Sequence, residues 1–290
     1  MDAEPDMTQH SADKAYYVPQ PSRWPITGAC ALLISLLGAA TWINRGAAGP
    51  YILAAGAALL VYMLFGWFGT VIRESEAGLY NRQVDRSYRW AMGWFIFSET
   101  LFFAAFFGAL FYIRWHAVPD LASGDTGELW PGFKGGWPTM GPGIEGQLTP
   151  MRATGVPLIN TVILLTSAGT LLWAHLGLQK GTRSHLTLGL FATVALGVVF
   201  LGLQFSEHYR AWTEQGLTLG SGAYGATFFM LTGFHGLHVA VGATVLSVIL
   251  VRSLRGDFTR DNQFAFQAAS WYWQFVDVIW LLMYVLVYWL

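Results

Sequence analysis

Charge is scarce in this sequence, and cysteine scarcer still. Only 11% of its 290 residues are Asp, Glu, Lys or Arg, against about 25% in an ordinary soluble domain. With 54% hydrophobic residues and a mean hydropathy of +0.43, that shortage marks an integral membrane protein. A net charge of −1 provides no basic surface for nucleic acid. The single cysteine, Cys30, excludes an internal disulfide and any multi-cysteine metal or iron–sulfur site. Lysine is rare too. Lys14, Lys134 and Lys180 all fall outside the apolar stretches, so no span offers the lysine that a retinal site requires. The first residues also lack the short basic start of a secretory signal, running instead through Asp2, Glu4 and Asp6. The small-residue patch Gly38-Ala39-Ala40 follows a segment too long and too acidic for cleavage, so the first apolar run reads as an uncleaved span.

What the chain has in abundance is apolar length. Seven stretches, near 25–43, 50–72, 91–115, 156–178, 186–208, 224–251 and 266–289, each approach the roughly 20 residues that a helix needs to cross a bilayer. The expected fold is therefore all-α, with seven transmembrane helices. Trp42, Trp67, Trp90, Trp115, Trp173, Trp212 and Trp289 sit near the ends of these stretches, as an interfacial aromatic belt does. Gly189, Gly197 and Gly202 recur in the fifth stretch and allow close helix approach. No internal repeat is evident. A tight link at 44–49 makes the first two spans a hairpin over 25–72, after a polar N-terminal tail at 1–24. A charged linker at 73–90 leads to a five-helix bundle over 91–290, which carries a long Gly/Pro-rich loop at 116–155.

The basic residues set an expected orientation. Eleven of the 16 fall on one side: Lys14 and Arg23; Arg73, Arg82, Arg86 and Arg89; Lys180 and Arg183; Arg252, Arg255 and Arg260. Five, Arg45, Arg114, Lys134, Arg152 and Arg210, fall on the other. By the positive-inside rule the N-terminus is cytoplasmic and the C-terminus external. Rhodopsin-like seven-helix proteins are expected to have the reverse polarity.

A few polar residues interrupt the spans. Glu99 lies about 13 Å along its helix from Trp90 at 1.5 Å per residue, near the bilayer midplane. An acid there costs on the order of 3 kcal/mol on insertion scales, so it should face protein, water or a partner. Asp277 is also near mid-span. Both acids are candidates for a packing role or a proton-linked one. A proton or cation path would make the chain a transporter, but no span is broken by paired Gly or Pro at depth. His235 and His238, in Phe234-His235-Gly236-Leu237-His238, are three apart and share a helix face. A metal or haem site would need further ligands, and none is evident at matching depth, so interhelical bonding or lipid contact is the expected role. At the cytoplasmic rim, Trp67 precedes Arg73-Glu74, and Arg252 and Arg255 leave the sixth span. Such residues either anchor the helices or hold a lipid phosphate.

In order along nearly the whole chain, several stretches resemble subunit III of the haem–copper cytochrome c oxidases. They are Pro21-Ser-Arg-Trp-Pro-Ile-Thr-Gly28, Val71-Ile-Arg-Glu-Ser75, Phe97-Ser-Glu99, Val156-Pro-Leu-Ile-Asn-Thr161, Trp173-Ala-His175, Thr232-Gly-Phe-His-Gly-Leu-His-Val239, Trp271-Tyr-Trp273 and Phe275-Val-Asp-Val-Ile-Trp280. The resemblance implies a two-helix hairpin plus a five-helix bundle, with a V-shaped cleft filled by phospholipids. It implies haems and copper in partner subunits I and II and no cofactor in this chain. Cytochrome c would be the electron donor to a complex that reduces oxygen and pumps protons. It also implies that Glu99 is the family's buried acid, and that Trp67, Arg73, Glu74, His235, His238 and Arg252 bind lipid. Gly69-Thr70, Leu176, Gln274 and the long loop depart from the family's usual pattern. The acidic tail and long loop point to a bacterial inner membrane. Quinol oxidases have a related third subunit, usually with five spans, so seven favour the cytochrome c branch. The residues are also compatible, less well, with a free-standing transporter or a haem-binding membrane enzyme.

Overall fold

The computed structural model describes residues 17–144, 148–258 and 263–289. Lys14, Arg260 and most of the tail at 1–24, used in the orientation argument, lie outside them. Among the described residues seven helices are long and apolar enough to cross a membrane: α1 (Trp24–Ile43), α2 (Gly49–Glu76), α3 (Arg82–Leu121), α4 (Val156–Lys180), α5 (Arg183–Thr213), α6 (Gly222–Arg255) and α7 (Phe264–Trp289). This is a multi-pass, all-helical membrane protein. Local sequence sets several of the helix ends. Pro25, Pro50 and Pro157 lie in first turns, where a missing N–H costs nothing. The αL residues Gly181 (φ 73°) and Gly256 (φ 88°) close α4 and α6, a conformation that glycine reaches without a Cβ penalty.

The chain divides into two compact units, Met1–Tyr88 and Arg89–Leu290, the boundary falling within α3. In the first, α1 and α2 form an antiparallel hairpin, and a Cβ on Gly38 or Gly56 would collide with backbone of the facing helix. The stretch 73–90, read as a linker, is mostly helical: α2 continues to Glu76 and α3 begins at Arg82. Hydropathy sees where the apolar core ends, whereas the helix continues through its charged turns into the headgroup layer. The bundle helices likewise outrun the apolar stretches, α6 reaching Arg255 and α3 reaching Leu121.

In the second unit the largest fully buried side chains include Trp273, Trp280, Phe103, Phe200, Phe228 and Phe266. The helices are joined at depth by side-chain bonds. Trp273 Nε1 donates to Ser167 Oγ, and Trp280 Nε1 to Thr161 Oγ1, both at 2.9 Å across α7 and α4. Thr170 and Thr193 bond at 2.7 Å across α4 and α5, and Thr187 and Ser253 at 3.2 Å across α5 and α6. Lipid offers little hydrophobic drive between helices, so such bonds, worth roughly 0.6–2 kcal/mol each, and close packing hold the bundle together. The long loop is anchored as well. The N–H groups of Ala223 and Tyr224 donate to Met140 O and Thr139 O at 3.0 Å, which satisfies donors that the start of α6 cannot pair internally.

Candidate functional site

Glu99, on α3, meets His238, on α6, with Oε2 at 2.9 Å from Nε2. The His238 Nδ1 lies 2.7 Å from the Phe234 carbonyl, which can only accept, so Nδ1 carries a hydrogen. The remaining contact then takes one of two forms: a neutral carboxylic acid donating to Nε2, or a carboxylate accepting from an imidazolium. Either way the pair shares one proton and is neutral as a whole. Phe103, at 5.0 Å between ring centroids, and Phe102, at 6.0 Å, pack against the imidazole. The Tyr272 hydroxyl donates to the His238 carbonyl at 3.4 Å. The sequence assigned Glu99 to an acid role and His238 to lipid, and the fold brings them into one bond.

His235 is fully enclosed. Its ring lies 5.3 Å from Trp280 and 5.8 Å from Phe200, and neither nitrogen has a hydrogen-bond partner among the described residues. It exposes no surface to a lipid, so the lipid role implied by resemblance does not fit it; an aromatic box is what its position on the inner face of α6 dictates. Asp277 is buried on α7, and both of its carboxylate oxygens also lack a partner among the described residues. No bond joins it to Glu99. Among the described residues no three His, Cys, Asp or Glu side chains come together as a metal site would need.

The rim residues fall in both units. In the first, Trp67 is 47% exposed and stacks on Phe68. Arg73 is exposed and donates to Thr70 Oγ1 at 3.1 Å, and the same oxygen accepts from Trp24 Nε1. Glu74 accepts from the Tyr80 hydroxyl at 2.8 Å. Burial, together with hydroxyl bonds to Tyr88 and Glu74, pushes the Tyr80 phenol above its ordinary range. In the second unit Arg252 is nearly buried, 3.3 Å from Asp257 Oδ2 and over the ring of Phe258.

Sequence reasoning missed a further polar group at the opposite end of the bundle. Glu207 is 4% exposed and accepts from the Tyr288 hydroxyl at 3.0 Å. Asn160 donates to Gln204 at 3.2 Å, and the His208 nitrogens engage Gln204 O at 2.8 Å and Thr232 Oγ1 at 3.0 Å. The spacing of Gln204, Glu207 and His208, at i, i+3 and i+4, was the available signal. Beside them α5 and α6 leave a groove of about 630 Å³, walled by Phe205, Tyr209, Trp212 and Phe229.

A family model described as Cytochrome c oxidase subunit III matches residues 14–290. The chain belongs to the cytochrome c oxidase subunit III family. Its similarity to Cytochrome c oxidase subunit 3 of Latimeria chalumnae is 42% identity over 276 residues, covering 95% of this chain and 97% of that protein. The proteins of the same name from Phoca vitulina and Felis catus are each 40% identical over the same shares. Membership places the chain in the respiratory chain and implies a complex with other oxidase subunits.

Proposed function

We propose that this chain is the non-catalytic third subunit of a haem–copper cytochrome c oxidase. It stabilises the core, binds phospholipids and sustains proton uptake while the complex carries electrons from cytochrome c to oxygen. Haems and copper then lie in partner subunits I and II, and this chain holds none. The observation that carries the reading is how the bundle spends His208, His235 and His238, the three histidines enclosed among α3, α5, α6 and α7. A haem or metal ligand needs a ring nitrogen free to face a shared site. His238 commits both nitrogens to Glu99 and Phe234, and His208 commits both to Gln204 and Thr232. His235 is sealed between Phe200 and Trp280.

Lipid binding draws support from the rim. The exposed Trp67 and Arg73 supply an amphipathic ring and a guanidinium group of the kind that hold a lipid phosphate, whereas Arg252 is turned to Asp257 and Phe258. Glu74 is braced by Tyr80. The lysine and arginine distribution supports a cytoplasmic N-terminus and an external C-terminus. The acidic tail and long loop support a bacterial inner membrane, although the relatives named above are eukaryotic.

The test is purification from native membranes through a tag on this chain, with a haem spectrum, phospholipid analysis and oxygen uptake on reduced cytochrome c. We expect haem-bearing partners, cytochrome c oxidation, and fewer retained phospholipids in Arg73→Ala than in Arg45→Ala. A chain that purifies alone, or that binds haem by itself, overturns the reading.

A further inference from the structure

Gln274 sits on α7 about 15 Å from Phe264 at 1.5 Å per residue, near the middle of a helical run of 26 residues. Its side chain is exposed, and no hydrogen bond joins it to any described residue. That is costly in hydrocarbon, where a primary amide finds no substitute for water. Gln267, Trp271 and Gln274 follow at i, i+4 and i+7, so they share one face of the helix. With Ser270 of α7 and with Leu172 and His175 of α4 they line a small recess of about 120 Å³.

The recess is polar on the α7 side and in His175. His175 Nε2 is bonded to Gln179 at 2.9 Å. The Gln179 amide nitrogen only donates, so Nε2 accepts and the hydrogen sits on Nδ1. Around the recess the surface turns apolar, with Leu172 at 55% and Val278 at 56% exposure. This differs from the groove between α5 and α6, where the polar side chains His208 and Thr232 are bonded to each other.

We infer that the α4–α7 face around Gln274 is the docking surface for a transmembrane helix of a haem-bearing oxidase subunit. The partner helix presents a hydrogen-bonding side chain to the Gln274 amide at mid-depth and apolar side chains to Leu172 and Val278. The inference rests on the proposed assembly with other oxidase subunits and names the face that assembly uses. A lipid is the wrong occupant, because its polar headgroup lies about 15 Å from the midplane and its tails cannot pair an amide.

The experiment uses the whole oxidase in native membranes. A photo-crosslinking amino acid is placed at Leu172 or, as a comparison on the outward face of α5, at Phe191, which is 62% exposed. We expect a crosslink to the haem-bearing subunit from position 172 and none from 191. In parallel, Gln274→Leu should lower several-fold the amount of this chain that stays with haem through detergent washing, and Gln274→His, which can still donate and accept, should restore it. Crosslinks from 191 but not 172, a crosslink from 172 to lipid or to this chain's own hairpin, or unchanged retention in Gln274→Leu would each overturn the inference while leaving the oxidase reading intact. A tagged wild-type chain that never co-purifies with haem would overturn both.

Discussion

Glu99 and His238 are bonded at 2.9 Å across α3 and α6, and the Phe234 carbonyl's hold on His238 Nδ1 leaves the pair one shared proton. Glu99→Gln preserves this contact, since an amide N–H can donate to Nε2. Initial oxygen consumption and proton release per electron should stay near wild type. Glu99→Ala leaves Nε2 without its partner, at roughly 1–3 kcal/mol, and should shorten the enzyme's working lifetime. Oxygen uptake followed over time separates the variants. Abolished pumping in Glu99→Gln, with the subunit still bound, would place Glu99 on a proton path.

Tyr288→Phe removes the hydroxyl that donates to the buried Glu207. The acid then loses a hydrogen-bond donor, and the bundle should lose roughly 1–3 kcal/mol. Glu207→Gln keeps an acceptor for Tyr288 and should lose less. The thermal midpoint of the purified complex reads the order, and a larger loss in Glu207→Gln would contradict the assigned bond.

Two glycines on α5 give a contrast within one helix. A Cβ at Gly197 would stand 2.7 Å from the Trp273 ring, while nothing lies within 4 Å of one at Gly202. Trp273 is fully buried and anchored to Ser167, so it cannot move aside without breaking that bond. Gly197→Ala should cost about 1–3 kcal/mol as an overpacked core does. Gly202→Ala should be neutral, or should gain up to about 1 kcal/mol from helix propensity. Differential thermal denaturation of the two variants is the measurement.

The number of spans was legible because apolar length is written directly in the sequence, and so was the presence of an acid, Glu99, within the third. Its partner was not. Glu99 and His238 are separated by 139 positions, and spacing along one helix says nothing about which face another helix presents. The same limit hid the Glu207–Tyr288 bond and the enclosure of His235 by Phe200 and Trp280. The helical turns at both ends of the charged linker at 73–90 were not legible for a different reason. Hydropathy reports the bilayer's thickness, not the persistence of backbone hydrogen bonding beyond it.

His235 and Asp277 provide the sharpest remaining test of that enclosure. All four of their side-chain polar atoms are buried without a hydrogen-bond partner among the described residues, and each such atom costs roughly 1–3 kcal/mol relative to a satisfied one. Replacing an unpaired polar group by an apolar group of similar shape removes that cost. His235→Phe keeps an aromatic ring between Phe200 and Trp280 and should leave thermal stability unchanged or raise it. Asp277→Asn, which cannot ionise, should likewise be tolerated, because no cation faces the carboxylate among the described residues. His238→Phe is the control. It removes a ring whose two nitrogens are both bonded, so it should destabilise. If His235→Phe instead destabilises as much as His238→Phe, then the enclosed His235 ring is bonded, as through a buried water, and its role is bonding rather than packing.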